Sequence, residues 1–420
     1  MKGKSPFVGF VIGLTLLGAC LGSGRKLPAS ERSASSEVRT GVPTSKDAPV
    51  NYNTLKEPSE PKELAIGPLA FIVDQGSRSV YEYDLGRRRF LGPAPRISGE
   101  KPKKQLPGYP TVVSTQPPQG ATLLGNKLIV AGGSSGSIAI VPFDSRSGLG
   151  DPTYVEAPLV EVKTGARTGH AVAPNVGSPE GKPHLALVAP MGDHTVVAVS
   201  QDTGASAVGY LIDLDAKKVL KSAQLSDETA GGIASYGQKV LLNVSLNKEV
   251  LLVEQDLTVS RHFPLPGFPG SISVAGNVAV VGTYSPSSLV LLNLEDGTTR
   301  TVSRDSGNMT GRQPIVASKT DIWWALGPKG KQAGLFQSAP GPDRVRHLRS
   351  MDFSDPLGAV KESDANAPCK GIDSMVRFQK TLLLACQEGG RLGTLPMNGG
   401  VGFTTEGGFL PWDILLSPDR

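Results

Sequence analysis

Aromatic residues make up only 5% of this 420-residue chain, with six methionines, five histidines and three cysteines. The histidines, at 170, 184, 194, 262 and 347, form no His-x-x-x-His type pair, so a sequence-local metal motif is excluded. No P-loop or His-Glu-x-x-His occurs, and no nucleophile elbow is expected. Lysine and arginine are spread thinly, without a basic block or interleaved aromatics. The net charge of +5 therefore does not point to nucleic acid. Long amphipathic stretches of helical period are missing too. What the chain has is 51 glycines and 34 prolines, the composition of many turns and few helices.

The apolar run from Phe7 to Leu17 follows Lys2 and Lys4 and precedes Gly18-Ala19-Cys20. A basic start, a core of about eleven residues and small residues behind it describe a secretory signal, too short for a permanent span. Leu17-Gly18-Ala19-Cys20 resembles the lipobox of bacterial lipoproteins. That resemblance implies removal of residues 1–19 and a lipid anchor on Cys20; the alternative is a plain signal peptide. Leu21, where aspartate marks inner-membrane retention in that class, favours the outer membrane. Residues 20–63 are rich in serine, proline and mixed charge and poor in large apolar residues. They cannot offset ordering entropy by burial, so a disordered tether is expected, leaving 64–420 as the folded domain.

One stretch sets the pattern for that domain. Ser271 to Ser303 holds the apolar runs SISV, VAVVGT, SLVLLNLE and TTRTVS, separated by turn signals AGN, YSPS and EDG. Strands this short and closely joined make a four-stranded antiparallel meander. Seven such units can be traced, at a spacing that reads as β-propeller blades. Parsing the long third unit, opened at GHAVAP, differently gives six or eight. The first unit begins at Leu69-Ala70-Phe71-Ile72-Val73 without an innermost strand, while the chain finishes on Pro411-Trp412-Asp413-Ile414-Leu415-Leu416, an inner-strand pattern with nothing after it. The two are expected to join, closing an all-β ring and protecting two open edges. In pattern, these units resemble the YVTN-type, lactonase-like seven-bladed propellers, which implies that fold and, by analogy, a hydrolase of lactonase type.

Cys369 and Cys386 flank the first hairpin of the seventh unit about equally far from its turn, so a disulfide between facing thiols is expected. Turns between second and third strands should share one rim, giving Arg78, Asp193, His194, Lys248, Lys331 and Arg391 as candidate ligand contacts. His170, Asp373 and Asp413 fall on inner strands and are candidates for the channel, the two aspartates as a carboxylate pair. The expected function is a monomeric, lipid-anchored envelope propeller that binds a protein or polymer, needing no cofactor, metal or nucleic acid. A lactonase-like hydrolase and a small-anion sensor are the alternatives.

Overall fold

The computed structural model describes residues 65, 67–91, 111–160, 182–200, 206–284, 287–304, 314–327, 342–350, 360–388, 390–398, 402–405 and 411–417. Cys20, His170 and Lys331 lie outside them, as do the leader and tether. No helix among the described residues is long and apolar enough to cross a membrane.

Among the described residues, thirty strands form seven antiparallel sheets. Blade one contains β1 (Leu69–Asp74), β2 (Ser79–Asp84), β3 (Arg89–Phe90) and β4 (Thr111–Val112); blade two contains β5 (Gly120–Leu124), β6 (Lys127–Ala131), β7 (Ser137–Asp144), β8 (Gly148–Leu149) and β9 (Thr153–Glu156). Blade three is β10 (Leu185–Pro190), β11 (Thr195–Ser200), β12 (Val208–Asp213) and β13 (Lys218–Gln224). Blade four is β14 (Ala230–Tyr236), β15 (Lys239–Val244), β16 (Glu249–Val253) and β17 (Val259–Pro264). Blade five is β18 (Phe268–Ala275), β19 (Val278–Tyr284), β20 (Ser288–Asn293) and β21 (Thr299–Arg304). Blade six is β22 (Ile315–Ala317), β23 (Asp321–Leu326), β24 (Arg344–Ser350) and β25 (Val360–Asn366). Blade seven is β26 (Lys370–Phe378), β27 (Thr381–Glu388), β28 (Arg391–Pro396) and β29 (Phe403–Thr405). The last strand, β30 (Pro411–Leu416), pairs antiparallel with β1 through Ala70↔Leu416 to Val73↔Asp413 and supplies the innermost strand of blade one. The expected closure is present.

The core lies between blades rather than within them. Seven clusters of buried apolar residues occupy the seven interfaces, including one where Leu383, Ala385 and Leu392 of blade seven meet Ala70, Ile72 and Ile414 of blade one. Second strands touch both neighbouring blades, so β6, β11 and β15 are buried along nearly their whole length. This is why they read as unbroken apolar runs rather than as alternating ones.

The upper face carries the turns from second to third strands and the connections between blades; the lower face carries the remaining turns. One lower turn repeats. Asp84, Asp144, Asp213 and Asn293 end third strands, and each accepts hydrogen bonds from backbone N–H groups two or three residues on. Four residues after each, Arg88, Gly148, Lys217 and Gly297 have φ of 57°, 75°, 53° and 81°. The αL position suits glycine, yet two blades place a basic residue there.

Two units differ from the sequence parsing. LALVAP is the inner strand of blade three, not its second strand, and TVVAVS follows it as the second. In blade six RVRHLRS is the third strand and VKESDAN, whose polar sequence reads as an interblade loop, the outer one. Arg344 and Arg346 hold them together: Arg344 Nη1 donates to Asp364 Oδ2 at 2.8 Å and Arg346 Nε to Asp364 Oδ1 at 2.8 Å.

Cys369 and Cys386 lie at disulfide distance, with Cα atoms 6.0 Å apart. They do not face each other directly as expected: Ile372 is opposite Cys386, and Cys369 precedes β26 and reaches across diagonally. Gly393 on β28 leaves the room, since a Cβ there would sit 2.8 Å from Cys369 Sγ.

Candidate functional site

Inner strands must converge on the axis, and small residues let them. A Cβ on Gly120 would come within 2.6 Å of Ala186 O, and one on Gly232 within 2.5 Å of Gly270 O. Close to the upper face, five of the seven inner strands carry a bulge. The extra residue is Ala186 in β10, Gly231 in β14, one of the Gly270-Ser271 pair in β18, Asp373 in β26 and Trp412 in β30. A bulge bends its strand and re-aims the extra residue. Together they frame a cavity of about 200 Å³ in the channel, lined by residues from all seven inner strands.

The lining is uneven. Blades two to six contribute glycine, alanine, serine, proline and aliphatic residues, whereas blades seven and one contribute Asp373, Ser374, Met375 and Asp413. The aspartates are the charged side chains among the described lining residues. Both are half-buried. Both aspartates line the cavity, in different surroundings. Asp413 is a clasp: its Oδ1 accepts from Ser374 Oγ at 2.7 Å and from its own strand at Ile414 N, while Oδ2 accepts from Ala121 N at 3.3 Å. One carboxylate thus ties blades seven, one and two together. Trp412 adds to this, its indole N–H donating to Gln119 O. Asp373 stands beside it at the apex of the β26 bulge. Ser374, Trp412 and the bulge ring were not anticipated from sequence; the only signal was the Asp-Ser pair on an inner strand.

The rim candidates separate. Arg78, Lys248 and Arg391 are on the upper face, in blades one, four and seven. Arg78 Nη1 donates to Thr115 O at 2.5 Å, and Lys248 Nζ lies 4.6 Å above the Phe268 ring, which stacks on Tyr284. None of the three lines the cavity. Asp193 and His194 are on the lower face, because the shift in blade three puts MGDH between first and second strands. His194 Nδ1 is 3.0 Å from Asp215 Oδ2, and the Asp215 carboxyl is held below its ordinary value, chiefly by the Lys127 ammonium bonded to it. No single anion site gathers these residues.

A Ser–His contact also escaped the sequence reading. Gly132-Gly133-Ser134-Ser135-Gly136 has the letters of a nucleophile elbow, but it forms the β6–β7 hairpin rather than a strand-to-helix turn. Ser134 Oγ lies 2.8 Å from His184 Nδ1. The N–H groups of Ser135 and Gly136 bond back to Gly132 O and Gly133 O within the turn, so they are not aimed at a developing oxyanion. No group of three or more metal-ligating side chains occurs among the described residues.

No protein-family model matches the sequence, and no curated protein matches it. Solved structures do. A Bacteroides fragilis protein named as a 6-phosphogluconolactonase superposes with a TM-score of 0.57 at 10% identity, over 86% of this chain and all of that one. The periplasmic gluconolactonase PpgL of Pseudomonas aeruginosa gives 0.56 at 12% identity, over 84% of this chain and 99% of its own. A Bacteroides uniformis protein also named as a 6-phosphogluconolactonase gives 0.55 at 11%, over 83% and 99%. Identities this low establish the architecture and leave the chemistry open: the chain is a seven-bladed β-propeller, similar in fold to lactonase-like proteins.

Proposed function

We propose that the protein is exported, anchored through lipidated Cys20 in the outer membrane, and acts as a single-ring binding module. Its upper mouth takes a hydroxyl-bearing unit of an envelope polymer or protein and does no chemistry on it. The observation that supports this reading best is the unequal role of the two channel carboxylates. Acid–base catalysis by a carboxylate pair needs both members at the substrate, and Asp413 is committed on both oxygens to closing the ring. Asp373, on the bulge, supplies an acceptor for ligand hydroxyl or amide groups. The volume, about that of seven waters of liquid, suits the end of a chain rather than a large free molecule. Titration calorimetry against envelope oligosaccharides and peptides tests this. Binding that is lost in Asp373→Asn with melting unchanged supports it, and binding that ignores this substitution contradicts it.

A second reading, hydrolysis of a lactone or ester, draws on Ser134 beside His184 on the same face and on the fold likeness to gluconolactonases. Its test is gluconolactone hydrolysis above the buffer rate, abolished by Ser134→Ala or Asp373→Asn, together with fluorophosphonate labelling at Ser134.

A further inference from the structure

Resting on the reading of the channel cavity as a ligand site, we infer that the unit it takes carries a protonated amine, as an amino sugar at the end of a glycan does. Two independent observations point to a ligand rich in hydrogen-bond donors. The first is charge. The described lining residues include two carboxylates, Asp373 and Asp413, and no lysine, arginine or histidine. Asp413 accepts from Ser374 Oγ, Ala121 N and Ile414 N, all neutral donors, which hold its charge in place without cancelling it. The adjoining side-chain donors are already spent: Ser374 Oγ donates to Asp413 Oδ1, and the Trp412 indole N–H to Gln119 O. An anionic ligand would meet two like charges in a confined space. An ammonium group brings a positive charge and three donors, and hydrogen bonds between ionised partners are the strong ones.

The second observation lies across the ring, in blade four. Asn243 of β15 is fully buried; its Nδ2 donates to Gly270 O at 2.9 Å, and its Oδ1 has no hydrogen-bond partner among the described residues. It stands opposite Gly232, a lining residue, and a Cβ on that glycine would come within 3.3 Å of the amide nitrogen. A buried acceptor left without a donor is costly, and whatever satisfies it must bring a hydrogen. Acceptors thus stand on both sides of the cavity. A glycan end suits them better than a peptide end: sugar hydroxyls donate, whereas each peptide unit adds a carbonyl that itself needs a donor.

Titration calorimetry at neutral pH compares short oligomers of glucosamine, N-acetylglucosamine and glucose with the same linkage, which differ only in the substituent at one ring carbon. Expected is binding of the glucosamine oligomer about tenfold tighter than either of the others. The preference should weaken as salt rises and as pH rises through the titration of the amine. Asp373→Asn should abolish it with melting unchanged, while Asp256→Asn, on a lower turn, should leave it intact. The pH and salt dependence of the parent protein carries the test should Asp373→Asn fail to fold. Equal affinity for the three oligomers, still dependent on Asp373, would overturn the amine and leave the cavity a hydroxyl-binding site. Binding of the glucosamine oligomer that ignores Asp373→Asn would sink both readings. Tighter binding of a free-amine peptide would move the site to peptide termini, and calcium bound stoichiometrically and lost in Asp373→Asn would make it a metal site; either overturns the proposal. So would an equal loss in Asp256→Asn, which would reduce the effect to net charge.

Discussion

Replacing Asp413 by alanine should loosen the ring at its seam. The carboxylate receives a 2.7 Å hydrogen bond from Ser374 Oγ on blade seven and a 3.3 Å bond from Ala121 N on blade two. Hydrogen bonds to a charged acceptor contribute about 1.5–3 kcal/mol each, and the longer one belongs at the lower end. The expected loss is about 3–4 kcal/mol, because the groups left behind are half-buried and only partly rehydrated. Unfolding entropy near 2.1 cal/mol/K per residue, over roughly 350 residues, makes each kcal/mol worth about 1.4 °C. A melting temperature about 5 °C lower, read by circular dichroism in the strand region, is the prediction. Ser374→Ala should lose about half as much, and the double variant little more than Asp413→Ala alone, since both act on one bond. If Asp413→Ala melts with the parent protein, or if the two substitutions simply add, the clasp is not what holds the ends together.

Three other outcomes follow from the structure. Protein unfolded without reductant should yield no free thiol from Cys369 and Cys386, and Cys386→Ser should be less stable by about 3 kcal/mol for a closed loop of this length. Gly297→Ala, at φ 81°, should destabilise by about 1–2 kcal/mol, whereas Lys217→Gly, at φ 53°, should be neutral or slightly stabilising in the same denaturant titration. Burial acts to raise the Asp321 carboxyl, but hydrogen bonds from Thr320 and His347 and the charges of His347 and Arg349 outweigh it and hold the pKa below the ordinary value. A lowered folded pKa stabilises above the unfolded value and loses that contribution as pH falls through the folded one. Asp321→Asn should therefore flatten the acid limb of the melting curve against pH.

The ring and its closure were legible because second strands buried on both faces spell apolar runs, and because β30 has an inner-strand pattern with no later strand to follow. Reading failed where burial and polarity part company. β10 is as apolar as a second strand, so LALVAP was shifted one place outward and took Asp193 and His194 to the wrong face. β25 looks like a loop in sequence because its Asp364 finds its partners, Arg344 and Arg346 of β24, only across the sheet, a pairing visible once the strands are aligned. The bulge ring has no letter code at all: Ala186, Gly231 and Asp373 share a position but no chemistry. By contrast, the repeated lower turn had a readable signature in Asp84, Asp144, Asp213 and Asn293, each four residues before an αL position.

A ring closed by pairing β1 with β30 cannot lock before residues 411–416 are in place. Until then Ala70 and Ile72 of blade one lack their inner-strand partners Leu416 and Ile414. A chain deprived of that strand stays an open arc, and declares itself by failing to shut.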